Sequence, residues 1–231
     1  MSLLDNKIIY FFKSLFFIFK KDITLQLRNF RDIITLITFF IISVLIFIFA
    51  IGPDQEKLNS IGIAIFWTLL ILACSITINK SLEDDYVDGT LGLYQFSGIS
   101  FEIIAIIKIL TSWISYQLPF IIIIPLASII LSFPNEKIYD LVITMLISTP
   151  ILTILMIIAS SMMLTNRKNL MLASLIILPL SIPIIIFSVG AITSDKELFL
   201  PQIYILLSIL MGSIALGPWI ISSCIKIAIR H

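Results

Sequence analysis

The chain contains six apolar segments, each long enough to cross a lipid bilayer as a helix. A helix needs about 20 mainly apolar residues to span the hydrocarbon core, and lipid offers no hydrogen-bond partner to an unpaired backbone group. The segments are approximately 33–51, 61–78, 103–131, 141–164, 170–192 and 203–225. The polar stretches between them are too short to form a soluble domain. The sequence therefore predicts an all-α integral membrane protein with six transmembrane helices.

The composition agrees with a membrane location. Apolar residues make up 59% of the chain and charged residues 13%, whereas soluble domains have about 25% charged residues. The net charge of +1 provides no field that would attract nucleic acid. Cys74 and Cys224 both lie inside apolar segments, and we interpret them as small packing residues.

The distribution of basic residues predicts the orientation, because cytoplasmic segments carry an excess of Lys and Arg. With a cytoplasmic N-terminus, twelve basic residues fall on the inner side: Lys7, Lys13, Lys20, Lys21, Arg28, Arg31, Lys80, Lys108, Arg167, Lys168, Lys226 and Arg230. Only Lys57, Lys137 and Lys196 fall on the outer side. We therefore predict that both termini are cytoplasmic.

Residues 1–32 are predicted to form a basic amphipathic helix that precedes the transmembrane domain, residues 33–231. Its apolar residues recur at spacings of three and four: Phe12, Phe16, Phe19, Ile23, Leu27 and Phe30. Basic residues mark the opposite face, which is typical of a helix lying in the headgroup layer. Such a helix is either a simple anchor or an elbow that transmits motion into the first span. Lys13 interrupts the apolar run and no cleavage pattern follows, which argues against a signal peptide.

Prolines inside the predicted spans indicate helix bends, because each proline removes a backbone donor and clashes with the preceding turn. The candidate positions for bends or gating are Pro119, Pro125, Pro150, Pro179 and Pro183. The pairs in the third and fifth spans are compatible with simple kinks or with a gating bend. They are also compatible with a span that breaks and re-enters the membrane.

Several kinds of chemistry are missing from the sequence. None of the eight glycines precedes a Lys-Ser or Lys-Thr pair in a phosphate-binding loop, so the chain alone is not expected to hydrolyse ATP. The only histidine is His231, which makes a metal or haem site improbable. Glu102 and Lys108, with Trp113, are placed at the cytoplasmic end of the third span, where Lys108 is expected to extend to the interface. Energy for transport must therefore come from another protein.

The longest inner loop, residues 79–102, is the predicted point of entry for that energy. Its candidate partner-binding residues are Leu82, Glu83, Asp84, Asp85, Tyr86, Asp88 and Gly89. At helical spacing they form a short acidic helix with an apolar edge, and Asp88-Gly89 marks its end. Such a helix suits a basic groove on a cytosolic partner, although a charge cluster in a loop can also be merely solvated.

An ordered set of residues gives this loop a family context. The set runs through Ile51-Gly52-Pro53, Gly62, Trp67, the segment from Leu82 to Leu91, Lys108, Trp113, Leu118-Pro119, Pro125, Thr149-Pro150, the segment from Ile177 to Pro183, Phe187 and Leu200-Pro201. From about residue 25 to the end, the chain resembles the CcmB family, the haem exporter protein B of bacterial cytochrome c maturation.

The resemblance implies the membrane subunit of an ABC transporter with an ABC exporter-type membrane domain in the bacterial inner membrane. It implies a CcmA-like ATPase subunit that binds ATP, CcmC- and CcmD-like membrane subunits, and a CcmE-like haem chaperone, with two copies of this subunit per complex. Haem would be the cargo of the complex, with no cofactor bound directly by this subunit. In this context the acidic loop is expected to be a coupling helix.

Two other functions remain open. The subunit could be a non-transporting scaffold of the cytochrome c maturation complex, which an uncharged bundle interior would suit. A secondary carrier or an intramembrane enzyme is the weakest alternative, because either would need ionisable groups at mid-membrane depth.

Overall fold

The structure is a computed structural model that describes residues 2–52, 54–77, 80–131, 133–164, 170–194 and 196–230. These residues form helices and no strands, which confirms the all-α prediction for them. The helices are α1 (Ser2–Arg28), α2 (Phe30–Ile51), α3 (Gln55–Thr77), α4 (Lys80–Val87), α5 (Thr90–Phe96), α6 (Phe101–Ser112), α7 (Leu118–Ile130), α8 (Asn135–Met163), α9 (Leu170–Thr193) and α10 (Lys196–Arg230). A π-helical turn, Trp113–Gln117, joins α6 to α7.

Among the described residues, five helical stretches are long and apolar enough to cross a membrane: Phe30–Ile51, Gln55–Ser75, Phe101–Ile130, Glu136–Met163 and Lys196–Ile229. Within α9, Ile177–Thr193 is a shorter apolar helix. Five of the six predicted spans therefore correspond to helices of sufficient length and apolarity. The third predicted span is built from α6, the π-helical turn and α7 in succession.

The main apolar core lies among α2, α3, α7, α8, α9 and the first half of α10. Phe40 of α2 contacts Phe66 of α3 and Phe120 of α7 edge to face, with ring centroids 5.3 Å apart in both pairs. Trp67 is fully buried next to Phe66. Such aromatic contacts are directional, and they align the first three spans.

A second apolar cluster lies at the end of the bundle where α4 and α5 are found. It joins Leu82, Leu91, Ile104 and Ile225, from α4, α5, α6 and α10. The Tyr86 hydroxyl in α4 also donates a hydrogen bond to the carbonyl oxygen of Ala228, at 3.2 Å. The two loop helices and the C-terminal end of α10 are thereby at the same end of the bundle.

The fifth predicted span does not break at its prolines. Helix α9 is continuous from Leu170 to Thr193 past Pro179 and Pro183, so the alternative in which this span breaks and re-enters the membrane is wrong. Ser181 donates a hydrogen bond to the carbonyl oxygen of Leu178, at 2.8 Å. The Ser181 hydroxyl supplies one hydrogen-bond donor in a stretch where Pro179 and Pro183 have no backbone N–H to donate.

The other prolines are also accommodated within helices. Pro125 lies inside α7, where the Ser128 hydroxyl bonds to its carbonyl oxygen at 2.8 Å, and Pro150 lies inside α8. Pro119 is in the first turn of α7, directly after the π-helical turn. A proline ring clashes with the carbonyl four residues earlier, and a widened turn places that carbonyl elsewhere. A gating role for these five prolines stays a prediction.

Gly217 allows α10 to approach α8 closely. A Cβ atom at this position would lie 2.6 Å from Cγ2 of Ile154, and a β-branched side chain in a helix has little freedom to move away. We expect Gly217→Ala to lower the free energy of unfolding by about 1–3 kcal/mol, measured by SDS titration in mixed micelles. Gly212→Ala, on the same helix with nothing within 4 Å, is the control and should not destabilise. Equal losses in both variants would contradict close packing at Gly217.

Candidate functional site

A buried cluster of charges joins α1, α4 and α6. Nζ of Lys108 lies 2.9 Å from Oδ2 of Asp22 and 2.5 Å from Oδ2 of Asp85. The side chains of Lys108, Asp22 and Asp85 are only 4%, 1% and 9% exposed. We call these three residues the charge cluster. Because a buried charge is costly unless it is paired, the cluster ties the three helices together.

Helix α4 presents one face to the bundle and the other outward. Leu82 and Asp85 are buried, and Tyr86 is half-buried; their spacing of three and four places them on one side of the helix. Asp84 and Asp88 are exposed on the other side. Helix α4 ends at Val87, and Gly89 follows with a φ of 71°. This confirms the predicted helix stop, because glycine adopts a left-handed conformation without steric cost.

Helix α1 contacts α6 through polar side chains. Asp22 and Gln26, four residues apart, are both buried on the same face. The Gln26 amide nitrogen donates to the Thr111 hydroxyl at 3.5 Å, one turn beyond Lys108. Phe12 and Phe16 are more than half exposed. The aromatic face is thus available for a contact outside this chain.

Lys21 supplies a second cation at the edge of the charge cluster. Its Nζ lies 3.7 Å from Oδ1 of Asp85 and donates to the Tyr94 hydroxyl at 3.4 Å. The same ammonium lies 5.6 Å from the centre of the Tyr94 ring, within the range of a cation–π interaction. Burial, together with the charges of Asp85 and Asp22, raises the pKa of the Tyr94 phenol. Tyr94 therefore stays a neutral hydrogen-bonding partner.

The expectation that Lys108 extends to the interface is wrong. Lys108 is seven residues into α6, about 10 Å from its start at the helical rise, and it is buried. Asp22 and Asp85 cover it from two neighbouring helices. A lysine needs no extension toward water when carboxylates are brought to it.

Trp113 also lies elsewhere than predicted. It begins the π-helical turn in the middle of the third span, about 18 Å from Phe101 at the helical rise. Its indole nitrogen donates to the Thr149 hydroxyl of α8 at 2.9 Å. Trp113 is half-buried, and Thr149 provides its indole N–H with a partner inside the bundle. Trp113 therefore links the third and fourth spans and does not mark an interface.

Glu102 does lie at the start of the third span. It accepts hydrogen bonds from Lys226 at 2.8 Å and from the Ser222 hydroxyl at 2.6 Å. Both donors belong to the last turns of α10. The Lys226 side chain is half exposed, so this pair is a surface contact that water and salt screen.

Two concave regions flank the charge cluster. A cavity of about 40 Å³ is lined by Asp22, Leu25, Gln26, Asn29, Asp84, Asp85, Lys108 and Tyr116. A wider groove of about 620 Å³ runs between α1 and α4 and includes Lys21, Arg28, Glu83, Asp84 and Asp88. The groove carries basic groups from α1 on one side and acidic groups from α4 on the other.

The structure divides the predicted partner-binding set in two. Asp84, Asp88 and Gly89 are exposed, and Glu83 and Tyr86 are intermediate. Leu82 and Asp85 are buried against other parts of this chain. Those two side chains hold α4 in place, so they do not form an exposed docking face in this conformation. Partner binding stays a prediction for the others.

Sequence reasoning did not identify Asp22 or Gln26. The available signal was an acidic and an amide residue four apart on a helix that is otherwise basic and apolar. Within the described part of the chain, no three His, Cys, Asp or Glu side chains are arranged to hold a metal ion. His231 lies outside the described residues.

Comparison with known proteins assigns the family. The family model described as "CcmB protein" matches residues 13–228. Relatives named "Heme exporter protein B" include that of Haemophilus influenzae, 28% identical over 93% of this chain and 98% of the relative. Those of Bradyrhizobium diazoefficiens (29% identity, 90% and 95% coverage) and Rhodobacter capsulatus (28%, 84% and 90%) are also similar. This protein therefore belongs to the CcmB protein family.

Proposed function

We propose that the chain is the membrane-spanning permease subunit of an ABC transporter complex that exports or delivers haem to the periplasm for c-type cytochromes. The observation that carries this proposal is the family match over residues 13–228, joined to relatives named for haem export. The proposal includes six spans in the bacterial inner membrane with both termini cytoplasmic. It also includes α1 as an interfacial elbow helix, which its exposed aromatic side chains support.

In this proposal a CcmA-like ATPase subunit binds α4, which acts as the coupling helix. Asp84 and Asp88 on the outer side of α4 are exposed and suit a basic groove on the ATPase. Leu82 and Asp85 on the inner side are anchored in the bundle. A coupling element needs both an accessible face and a firm internal contact, and α4 has both.

The charge cluster is the route from α4 into the membrane. A displacement of α4 moves Asp85, which pairs with Lys108 of α6, and Lys108 in turn pairs with Asp22 of α1. Helix α6 continues through the π-helical turn into α7. The third span and the elbow helix therefore receive the motion together. Binding of a partner can drive such a change only if its contacts differ between the two conformations.

The remaining partners follow from the family resemblance. We propose CcmC- and CcmD-like membrane subunits, a CcmE-like haem chaperone and two copies of this chain per complex. ATP would be bound by the ATPase subunit, and haem would be the cargo of the complex. Distance measurements between the third and fifth spans, with and without nucleotide, distinguish a permease from a non-transporting scaffold: unchanged distances would support the scaffold.

Charge reversal on the outer face of α4 tests the docking. We expect Asp84→Lys with Asp88→Lys to weaken co-purification with the ATPase at least about tenfold, because opposite charges at the contact become like charges. The measurement is the ATPase recovered per membrane subunit after solubilisation. Asp85→Lys is a poorer test, because Asp85 is buried and its reversal would act inside this chain.

Glu136→Lys is the matched control. Glu136 is an exposed acidic residue at the start of α8, in the outer loop of the proposed topology. Its reversal should leave ATPase binding unchanged. If the α4 variant is inserted in the membrane and still recovers full amounts of the ATPase, α4 is not the docking site.

A further inference from the structure

The charge cluster contains one more carboxylate than its buried ammonium can balance. Asp22 and Asp85 both lie within 3 Å of Lys108, and among the side chains that the structure describes no other cation is comparably buried with them. Lys21 approaches Asp85 to 3.7 Å, but its side chain is 42% exposed. An uncompensated buried charge is strongly unfavourable, and a group in that position tends to become neutral.

Two acceptor atoms in the same region are reached by no hydrogen-bond donor. Oδ1 of Asp22 and Oε1 of Gln26 have no hydrogen-bond partner, and both residues are more than nine-tenths buried. Both line the 40 Å³ cavity. Each of these atoms accepts hydrogen bonds when Asp22 is ionised, so the missing component is a donor. The cavity is also large enough for a water molecule.

We propose that Asp22 binds a proton at neutral pH and that the charge cluster is a buried proton-binding site. A protonated Asp22 has one O–H donor. Gln26 follows Asp22 by four residues on the same helix face, so the O–H can donate to Oε1 of Gln26 directly or through a water in the cavity. One proton thereby satisfies two unpartnered oxygens and leaves Asp85 and Lys108 as a neutral pair.

Asp22 is the better proton acceptor of the two carboxylates. Asp85 faces both Lys108 and Lys21, whereas Asp22 forms an ion pair with Lys108 alone. Asp22 is also the less exposed. Burial is the main factor that raises the pKa of Asp22, and the charge of Asp85 raises it further, against the opposing effects of Lys108 and Lys21.

The other titratable groups around the site do not supply the missing proton. They are Asp84 of α4, Tyr94 of α5 and Tyr116 of the π-helical turn. Asp84 adds another negative charge near the cavity, which favours a proton on Asp22. The two tyrosines are uncharged at neutral pH.

One consequence rests on the proposed function of α4. If the motion of α4 lengthens the contact between Asp85 and Lys108 while α4 and α6 stay packed, the Asp85 charge acts more weakly on the site and Lys108 pairs mainly with Asp22. An opposite charge at close range favours the ionised carboxylate, so Asp22 would release its proton. Occupancy of the proton site would then depend on the position of the coupling helix.

Infrared spectroscopy of the full-length chain in lipid nanodiscs, without the ATPase, tests the proton site directly. We expect the C=O band of a protonated carboxylic acid at neutral pH in the wild type. Asp22→Asn should lose that band, and Glu136→Gln, which changes an exposed carboxylate at the start of α8, should keep it. Absence of the band in the wild type, or its persistence in Asp22→Asn, would overturn the proposal.

Thermal stability gives an independent readout. A carboxyl whose folded-state pKa is raised contributes stability that is fully present below the ordinary aspartate value and is lost as the pH rises through the raised value. The Tm of the wild type should fall over that range, and Asp22→Asn should remove this dependence without lowering the Tm at neutral pH. If Asp22→Asn is as unstable at neutral pH as Asp22→Ala, Asp22 is an ionised partner of Lys108 and the proposal fails.

Asp85→Asn separates the two parts of the inference. Removal of the Asp85 charge should leave Asp22 ionised beside Lys108, so the infrared band at neutral pH should disappear. A band that stays in Asp85→Asn would contradict the linkage between the two carboxylates. These measurements do not involve ATP or haem, so they can fail while the proposed transport function stands, and the reverse also holds.

Discussion

Lys108→Met is expected to lower the free energy of unfolding by about 3–5 kcal/mol, because it leaves buried carboxylate charge without its cation. Lys108 pairs with both Asp22 and Asp85, and all three side chains are less than a tenth exposed. The expected loss is large because water cannot replace the ammonium in this position. The measurement is SDS-induced unfolding of the purified chain in mixed micelles.

Lys226→Met is the matched control, since it removes the same group from a different environment. Lys226 pairs with Glu102 at 2.8 Å, but its side chain is 50% exposed. Such pairs contribute about 0–1 kcal/mol. Similar losses in the two variants would show that Lys108 is also accessible to water.

A double variant, Lys108→Met with Asp85→Leu, should recover most of the lost stability. Replacing a buried ion pair by apolar side chains is often neutral, whereas removing one partner is costly. Recovery requires that Asp22 be neutral in the double variant, as it is in the proposed proton site. No recovery would indicate that Asp22 remains charged.

Leu82→Ala is expected to destabilise the chain by about 2–5 kcal/mol, the range for truncating a fully buried leucine. Leu82 is 0% exposed and belongs to an apolar cluster with residues of α5, α6, α8 and α10. Its side chain holds α4 against the bundle, on the same face of the helix as Asp85. The change can be followed by the same unfolding titration and by hydrogen exchange of the α4 amides.

Val87→Ala is the control for Leu82. Val87 lies on the same short helix but is 54% exposed, so its truncation should change stability by no more than about 0.5 kcal/mol. If Leu82→Ala instead leaves stability unchanged and weakens only ATPase binding, Leu82 belongs to the docking face, as its sequence position first indicated.

These predictions concern one structural question, which is how a short surface helix is connected to membrane spans. Apolar packing at Leu82 and charge pairing at Asp85 are independent contacts on the same face of α4. Two contacts of different physical origin make it difficult for α4 to move without moving α6. In the proposed function, that connection is what makes a nucleotide-dependent change at the ATPase effective inside the bilayer.

Properties that depend on local sequence were predictable. Apolar segments of sufficient length identified five membrane-capable helices, because span length depends only on bilayer thickness and helical rise. Glycine at position 89 indicated the end of α4, because its positive φ is a local backbone property. The ordered motifs identified the CcmB family, which the match over residues 13–228 confirms.

The positions of individual side chains were decided by the tertiary structure. Lys108 and Trp113 looked like residues at a membrane interface, but Asp22, Asp85 and Thr149 provide partners for them inside the bundle.

Alone, the sequence determined the helical membrane architecture, because the period and length of apolar runs reflect the surrounding solvent. Only the fold decided which polar groups are buried together, because residues 22, 85 and 108 are distant in the chain and meet only when three helices pack.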